Sequence, residues 1–251
     1  KKIKNPLHEV SIGLIGKYVE LQDSYKSILE SFVHAGTAND VKVNVIPIHS
    51  EEINIKSSDQ IFKNLNGILV APGFGERGIN GKLITIQYAR TKNIPFLGIC
   101  LGHQLLAECM GGKVSKSQKP EVGVLDVLLT ESGQSGVFFD GVPENFKTLQ
   151  WHSAEVTELP PGSKVLAWSE SCSIQALQWQ TRAFSIQFHL EIEDDTVLNW
   201  SNIPEYKLSL EQEMGINGFK KMQNDCLQNI SQMKEKAERL YINWMQTTAR
   251  T

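Results

Sequence analysis

Three side chains in this chain have the types and spacing for nucleophilic catalysis. Cys100 lies in Ile94-Pro-Phe-Leu-Gly-Ile-Cys-Leu-Gly-His-Gln-Leu-Leu-Ala, an apolar strand-like run that passes straight into a helix-like one. Gly98 and Gly102 frame it as G-x-C-x-G, the thiol form of a nucleophile elbow, where a tight strand-to-helix turn demands residues without a Cβ on either side. Such a turn pushes the sulfur toward solvent at a helix N-terminus, where unpaired N–H groups and the positive dipole end stabilise a thiolate. Without that frame, a free cysteine is more often a small buried core residue. The partner lies in Ile186-Gln-Phe-His-Leu-Glu-Ile-Glu, where His189 and Glu191 stand two apart and, in extended chain, project from one face. A histidine held in one tautomer by a carboxylate is the base that a cysteine nucleophile requires.

A fourth element is Pro72-Gly-Phe-Gly-Glu-Arg-Gly, too rich in glycine for regular structure and placed after a buried strand. Glycine lets a backbone approach a substrate and turn its N–H groups toward a developing negative charge, so this is a candidate oxyanion loop; taken alone it is an ordinary strand-to-helix connection. His103 and His152 read as core or supporting residues, although His152 lies on a polar strand end that could line the pocket. A metal held by His152, His189 and Glu191 would occupy the imidazole that the thiol needs, so no metal and no cofactor are expected. Cys109, on the helix after the nucleophile, is expected to be packed.

These residues need a sheet to hold them. Residues 10–16 form an apolar run ended by glycine, a strand buried on both faces. Asp23 is a helix N-cap, residues 24–34 carry Tyr25, Ile28, Leu29, Phe32 and Val33 at helical spacing, and Gly36 closes that helix. A strand over 41–48, a weaker helix over 58–65, a buried strand over 67–71, a helix over 82–92 ended by Asn93, and the helix from Cys100 to Gly111-Gly112 follow. Strand and helix alternate, which predicts an α/β fold: a doubly wound, mostly parallel central sheet flanked by helices. Residues 113–187 change to short strands (122–130, 146–151, 164–168, 174–179, 183–187) with polar loops at 115–120 and 131–136, which predicts an additional small antiparallel sheet region. Phe219, Met222, Cys226, Ile230, Met233, Ala237, Leu240 and Trp244 then recur in steps of three and four, one long C-terminal amphipathic helix whose stripe is expected on the chain's own sheet, with a subunit interface as the alternative. The expectation is a single domain over 1–251, with its core at about 10–200 and a helical extension at about 203–248.

Composition excludes several classes. With 251 residues, 41% of them hydrophobic, the chain can build one large α/β core. A formal net charge of −3 and no long Lys/Arg run leave no footprint for nucleic acid or an anionic membrane, so a small-molecule substrate is expected. No apolar run approaches a membrane span and the N-terminus lacks a signal-peptide core. The four cysteines have no C-x-x-C spacing, which fits reduced thiols in a cytoplasmic setting. The chain starts at Lys1 rather than Met, which leaves room for a partner domain ahead of it, and no P-loop occurs, so the chain is not a complete ATP-dependent synthetase by itself.

With Gly98-Ile-Cys-Leu-Gly-His-Gln and Phe188-His-Leu-Glu in this order, the chain resembles the class I (triad) glutamine amidotransferases over roughly residues 10–200. Gly73-Phe-Gly-Glu-Arg-Gly-Ile-Asn-Gly-Lys and the segment around Asp23 resemble the glutaminase domain of CTP synthase. Pro120-Glu-Val-Gly, Gln150-Trp-His-Ser and Ser173-Ile-Gln-Ala-Leu are more similar to GMP synthase-like amidotransferases. The resemblance implies that Cys100 attacks the side-chain amide of glutamine, His189 shuttles the proton and Glu191 orients His189. It implies oxyanion donors at the N–H of Leu101 and of the Gly73 to Gly75 stretch, with substrate held by Gly73, Phe74, Gly75, Gln104 and Glu121. It also implies ammonia delivery to a synthase partner protein or domain, and is compatible with a homo-oligomer.

Three positions depart from the family pattern. Leu190 replaces the usual proline after the triad histidine, Pro72 replaces the first glycine of the CTP synthase loop and has no N–H to donate, and the CTP synthase-type lid is missing between Gly112 and Val124. Two other readings therefore stand beside the amidotransferase: a γ-glutamyl hydrolase acting on a γ-glutamyl conjugate, and a catalytically silent regulatory subunit. A cysteine peptidase of the same architecture fits less well, because Leu101 stands where those commonly carry histidine.

Overall fold

A computed structural model describes residues 6, 8–17, 19, 25–73, 75–201 and 204–248, so Asp23 and Phe74 lie outside the described residues. The elements run β1 (His8–Gly16), α1 (Lys26–Ala38), β2 (Val41–His49), α2 (Ile55–Phe62), β3 (Gly67–Val70), α3 (Ile79–Lys92), β4 (Phe96–Ile99), α4 (Leu101–Cys109) and β5 (Lys113–Leu129). They continue with α5 (Glu131–Gln134), β6 (Asn145–Glu158), β7 (Ser163–Trp168), β8 (Ala176–Trp179), β9 (Ala183–Ile186), α6 (Thr196–Ser201), α7 (Pro204–Met214) and α8 (Gly218–Thr248).

The nine strands among the described residues form one sheet in the order β2-β1-β3-β4-β9-β8-β7-β5-β6. Pairing is parallel from β2 to β9 and antiparallel from β9 to β6, so the antiparallel region continues the parallel half through β9. β3 and β4 are buried along their whole length, as strands covered on both faces must be. Their side chains alternate between two cores. Leu69, Leu97 and Ile99 face the layer of α1 and α8, while Ile68, Val70 and Phe96 face the layer of α2, α3 and α4. Phe32 of α1 meets Tyr241 and Trp244 of α8 at ring separations of 5.0 and 5.9 Å. The stripe Met222, Cys226, Met233, Ala237, Leu240, Trp244 is buried in that core, which places the long helix on the chain's own sheet. Among the described residues no helix is long and apolar enough to cross a membrane.

Several sequence expectations are corrected. Gly36 does not close α1, which runs on to Ala38; the glycine is needed because a Cβ there would lie 2.8 Å from the carbonyl oxygen of Val41. α2 begins at Ile55 rather than 58, because Asn54 caps it, its Oδ1 accepting from Lys56 and Ser57 while Ser57 Oγ accepts from the Asn54 N–H. α3 starts at Ile79 instead of 82, behind Gly78 in the left-handed region (φ 73°). Residues 115–120 are not a loop but part of β5: the partner strand β6 is long enough to pair with it, and a shift in register between Lys116 and Glu121 absorbs the extra residues. Residues 131–136 contain the single turn α5, capped by Thr130 Oγ1 accepting from Gly133. His189 lies beyond the end of β9, because the neighbour β4 has already turned into α4 and the ladder on that side stops at Ile186.

Candidate active site

Cys100 occupies the corner between β4 and α4 with φ 53° and ψ −105°, backbone that a residue with a Cβ seldom adopts. Its N–H donates to Ile186 O at 2.8 Å and its carbonyl accepts from His103 and Gln104, so both sides of the strained residue are tied. The flanking glycines have steric causes: a Cβ on Gly98 would lie 2.6 Å from Gly102 O, and one on Gly102 would lie 2.6 Å from Val70 O. Cys100 as a residue is 9% exposed, and helix geometry leaves the N–H of Leu101, the first residue of α4, without an intrahelical acceptor.

His189 follows β9 on an extended segment held by a two-way backbone pair with Leu149 at 2.8 and 3.0 Å. Along this segment Phe188, Leu190 and Ile192 enter the core, while Gln187, His189 and Glu191 share the opposite face. Glu191 Oε1 lies 2.8 Å from His189 Nδ1, and Glu191 Oε2 accepts from the Leu190 N–H at 3.0 Å. Cys100 interacts with the imidazole as well; with Nδ1 committed to Glu191, the ring nitrogen left for the thiol is Nε2. Burial works to lower the imidazole pKa, but the Glu191 carboxylate and Cys100 outweigh it and push it up to about 10. The arrangement favours a charged imidazolium between an acid and a thiol. Trp200 of α6 packs edge-on to the ring at 5.6 Å, with Trp151 and Phe219 behind it.

The remaining predicted residues divide. Gln104 sits one turn into α4, but its amide nitrogen is spent on Ala154 O (3.0 Å) and Gln187 Oε1 (2.9 Å). Gln187 in turn points its own amide nitrogen at Cys100 Sγ, 3.7 Å away. That contact escaped the sequence reading, although Gln187 stands two before His189 on the same alternation. Glu121 and His152 face each other across β5 and β6 in a closed network: Glu121 accepts from Ser169 Oγ at 2.7 Å and Gln175 Nε2 at 2.6 Å, and lies 3.2 Å from His152 Nε2. His103 is fully buried between Ser185 Oγ and Ile174 O, and burial pulls its pKa down to about 3, so it is a neutral structural bridge.

Glu121, His152 and Cys172 are the one group of three potential metal donors among the described residues, all buried and within 4.8 Å of one another. Both carboxylate oxygens of Glu121 and both ring nitrogens of His152 already have hydrogen-bond partners, so the trio is satisfied as a polar network. Cys109 and Cys172 have thiols raised above their usual range, chiefly by burial, which leaves them poor nucleophiles. Gly73 and Gly75 lie on the irregular stretch between β3 and α3, with Gly75 at φ 75°.

The family model described as "Glutamine amidotransferase class-I" matches residues 20–196. A CTP synthase of Flavobacterium psychrophilum is 59% identical over 135 residues, which are 54% of this chain and 24% of that protein; the chain thus spans about a quarter of that relative's length. Among solved structures, a glutamine amidotransferase from Thermotoga maritima matches 96% of this chain and 99% of its own at a TM-score of 0.73 and 19% identity. The glutaminase domain of Trypanosoma brucei CTPS with bound acivicin matches 96% of this chain and 94% of its own at a TM-score of 0.68 and 21% identity. At such identities, these two likenesses speak for the fold.

Proposed function

The chain belongs to the class-I glutamine amidotransferases, and from that membership we propose that it hydrolyses the side-chain amide of glutamine and hands the ammonia to a synthase domain or protein. Cys100 Sγ attacks the amide carbon, and the N–H groups of Leu101 and Gly73 take the oxyanion. His189 passes its proton to the departing nitrogen, the C–N bond breaks, and ammonia leaves behind a γ-glutamyl thioester. Water, deprotonated by His189, then attacks the thioester; the C–S bond breaks and glutamate departs with the thiolate restored. Glu191 keeps Nε2 facing the sulfur throughout. The observation that carries this reading is the His189–Glu191 pair at 2.8 Å, its imidazole interacting with Cys100 at a strained strand-to-helix corner.

In this reading residues 1–251 act as one glutaminase unit in the cytoplasm, the acceptor lies on another domain or chain, and the unit can self-associate. The CTP synthase likeness favours an amide nitrogen bound for a synthase. The test is ammonia release from glutamine by the chain, alone and with its synthase partner, against Cys100→Ala. Release that depends on Cys100 supports the reading. No release in either setting overturns it.

A second reading, hydrolysis of a larger γ-glutamyl conjugate, is favoured by one observation: the aromatic wall of Trp200, Trp151 and Phe219 beside His189 gives an apolar leaving group a surface. Turnover of glutamine against γ-glutamyl arylamides separates the two. A preference for arylamides that Trp200→Ala abolishes selects the second.

A further inference from the structure

Two lysines under the 72–78 loop play no part in the chemistry above. Lys82, in the first turns of α3, is 0% exposed and donates from Nζ to Ala71 O at 2.7 Å. A Cβ placed on Gly73 would lie 3.7 Å from that Nζ, so the ammonium sits directly against the loop glycine. Lys17, one residue past β1, is 4% exposed and donates to Gly75 O at 2.7 Å. The two cations therefore hold carbonyls on either side of Gly73.

Enclosing an ammonium group is expensive, and an apolar side chain would fill the same space without that penalty. The cost is explained if the charge has work to do at the loop. Pro72 has no N–H, so the Gly73 N–H is the first donor the loop can offer, and its direction depends on how the neighbouring peptides are held. The charge environment agrees. Burial and then Lys17 pull the Lys82 ammonium down to about 7, while Cys100 favours its charged form. Lys17 in turn is lowered by burial and Arg77 and supported by Glu51. Lys82 thus lies within electrostatic reach of the nucleophile from a separate helix.

Resting on the glutaminase reading, we infer that Lys82 and Lys17 are positioning residues of the oxyanion loop: they clamp Ala71 and Gly75 so that the Gly73 N–H faces the substrate carbonyl above Cys100. Neither lysine touches the reacting atoms; both act through the loop.

The test is Lys82→Met in the full chain, which keeps the length of the side chain and removes the donor. Hydrogen exchange should accelerate at least about tenfold in the loop amides from Gly73 to Gly78 and stay unchanged in β3 and β4. Glutamine turnover should fall roughly 10²-fold in kcat with little change in KM, as expected when a donor to the oxyanion is misplaced. Labelling of Cys100 by a glutamine-analogue chloroketone, which needs the oxyanion site, should slow far more than alkylation by iodoacetamide, which does not. Unchanged loop exchange overturns the inference, as does protection lost equally throughout the sheet, or equal slowing of the two reagents. Faster loop exchange in Lys82→Met, in a protein that hydrolyses no glutamine, upholds the clamp and sinks the glutaminase reading instead. Should Lys82→Met fail to accumulate as folded protein, Lys17→Met carries the same expectations from the other side of the clamp.

Discussion

Leu190 donates its backbone N–H to Glu191 Oε2 at 3.0 Å, so the residue between the base and its acid helps to aim the acid. The first carboxylate oxygen is thereby left for His189 and the second is satisfied locally. Leu190→Pro, which installs the usual family residue, removes this donor and the buried leucine side chain together. The expected cost is about 1–3 kcal/mol of stability, read from denaturant unfolding, with glutamine turnover reduced by less than about tenfold, because the Oε1 contact to the imidazole survives.

Glu191→Gln removes the charge that sustains the imidazolium. Turnover should fall roughly 10²–10⁴-fold, as when a base loses its orienting carboxylate. The pH dependence of stability should change as well. With the His189 pKa raised from 6.5 to about 10, its contribution is complete below 6.5 and fades as pH rises through 10. Thermal unfolding of Glu191→Gln between these limits should lack that alkaline decline.

Lys82 has the opposite slope. Its folded-state pKa of about 7 lies below 10.5, so between these values the unfolded chain binds the extra proton and stability rises with pH. Below about 7 both states are protonated and the burial penalty stays in full. Lys82→Met should remove the rise. In the wild-type protein the Lys82 and His189 slopes oppose each other over much of one window, and the two variants should expose them separately.

Gly98→Ala and Gly102→Ala should each destabilise by about 2–4 kcal/mol, because the added methyl meets backbone carbonyl oxygens that cannot swing aside. The same substitution at Gly162, where nothing lies within 4 Å of the new Cβ but φ is 79°, should cost only about 1 kcal/mol. Chemical denaturation of the three variants provides the comparison.

The legible parts of the fold and site are those set by local geometry. The glycine frame around Cys100, the alternation of His189 and Glu191, and the three-four stripe on α8 each express one steric or packing rule within a few residues. What stayed hidden depends on partners far along the chain. Gly36 looks like a helix terminator until Val41 is seen beside it, and the polar residues at 115–120 look like a loop until β6 is there to pair with Ser115 and Lys116 on one side of a bulge and Glu121 on the other. Lys82 draws no notice in sequence beyond opening a helix, because nothing near it announces that its ammonium is enclosed below Gly73. The family resemblance offers Glu121 for the substrate and a polar strand end offers His152 for the pocket, and their mutual satisfaction with Ser169 and Gln175 emerges only from strand register.

The insertion of β9 between β4 and β8 has a consequence for biosynthesis. Gln187 and Cys100 are separated by 87 positions, and they meet only when β9 docks between two strands made earlier. Pairings of such high contact order form late, since loop closure must be met before any contact rewards it. A nascent chain therefore displays the thiol for a long interval with neither His189 nor Glu191 near it, and the sulfur waits until translation has passed Glu191.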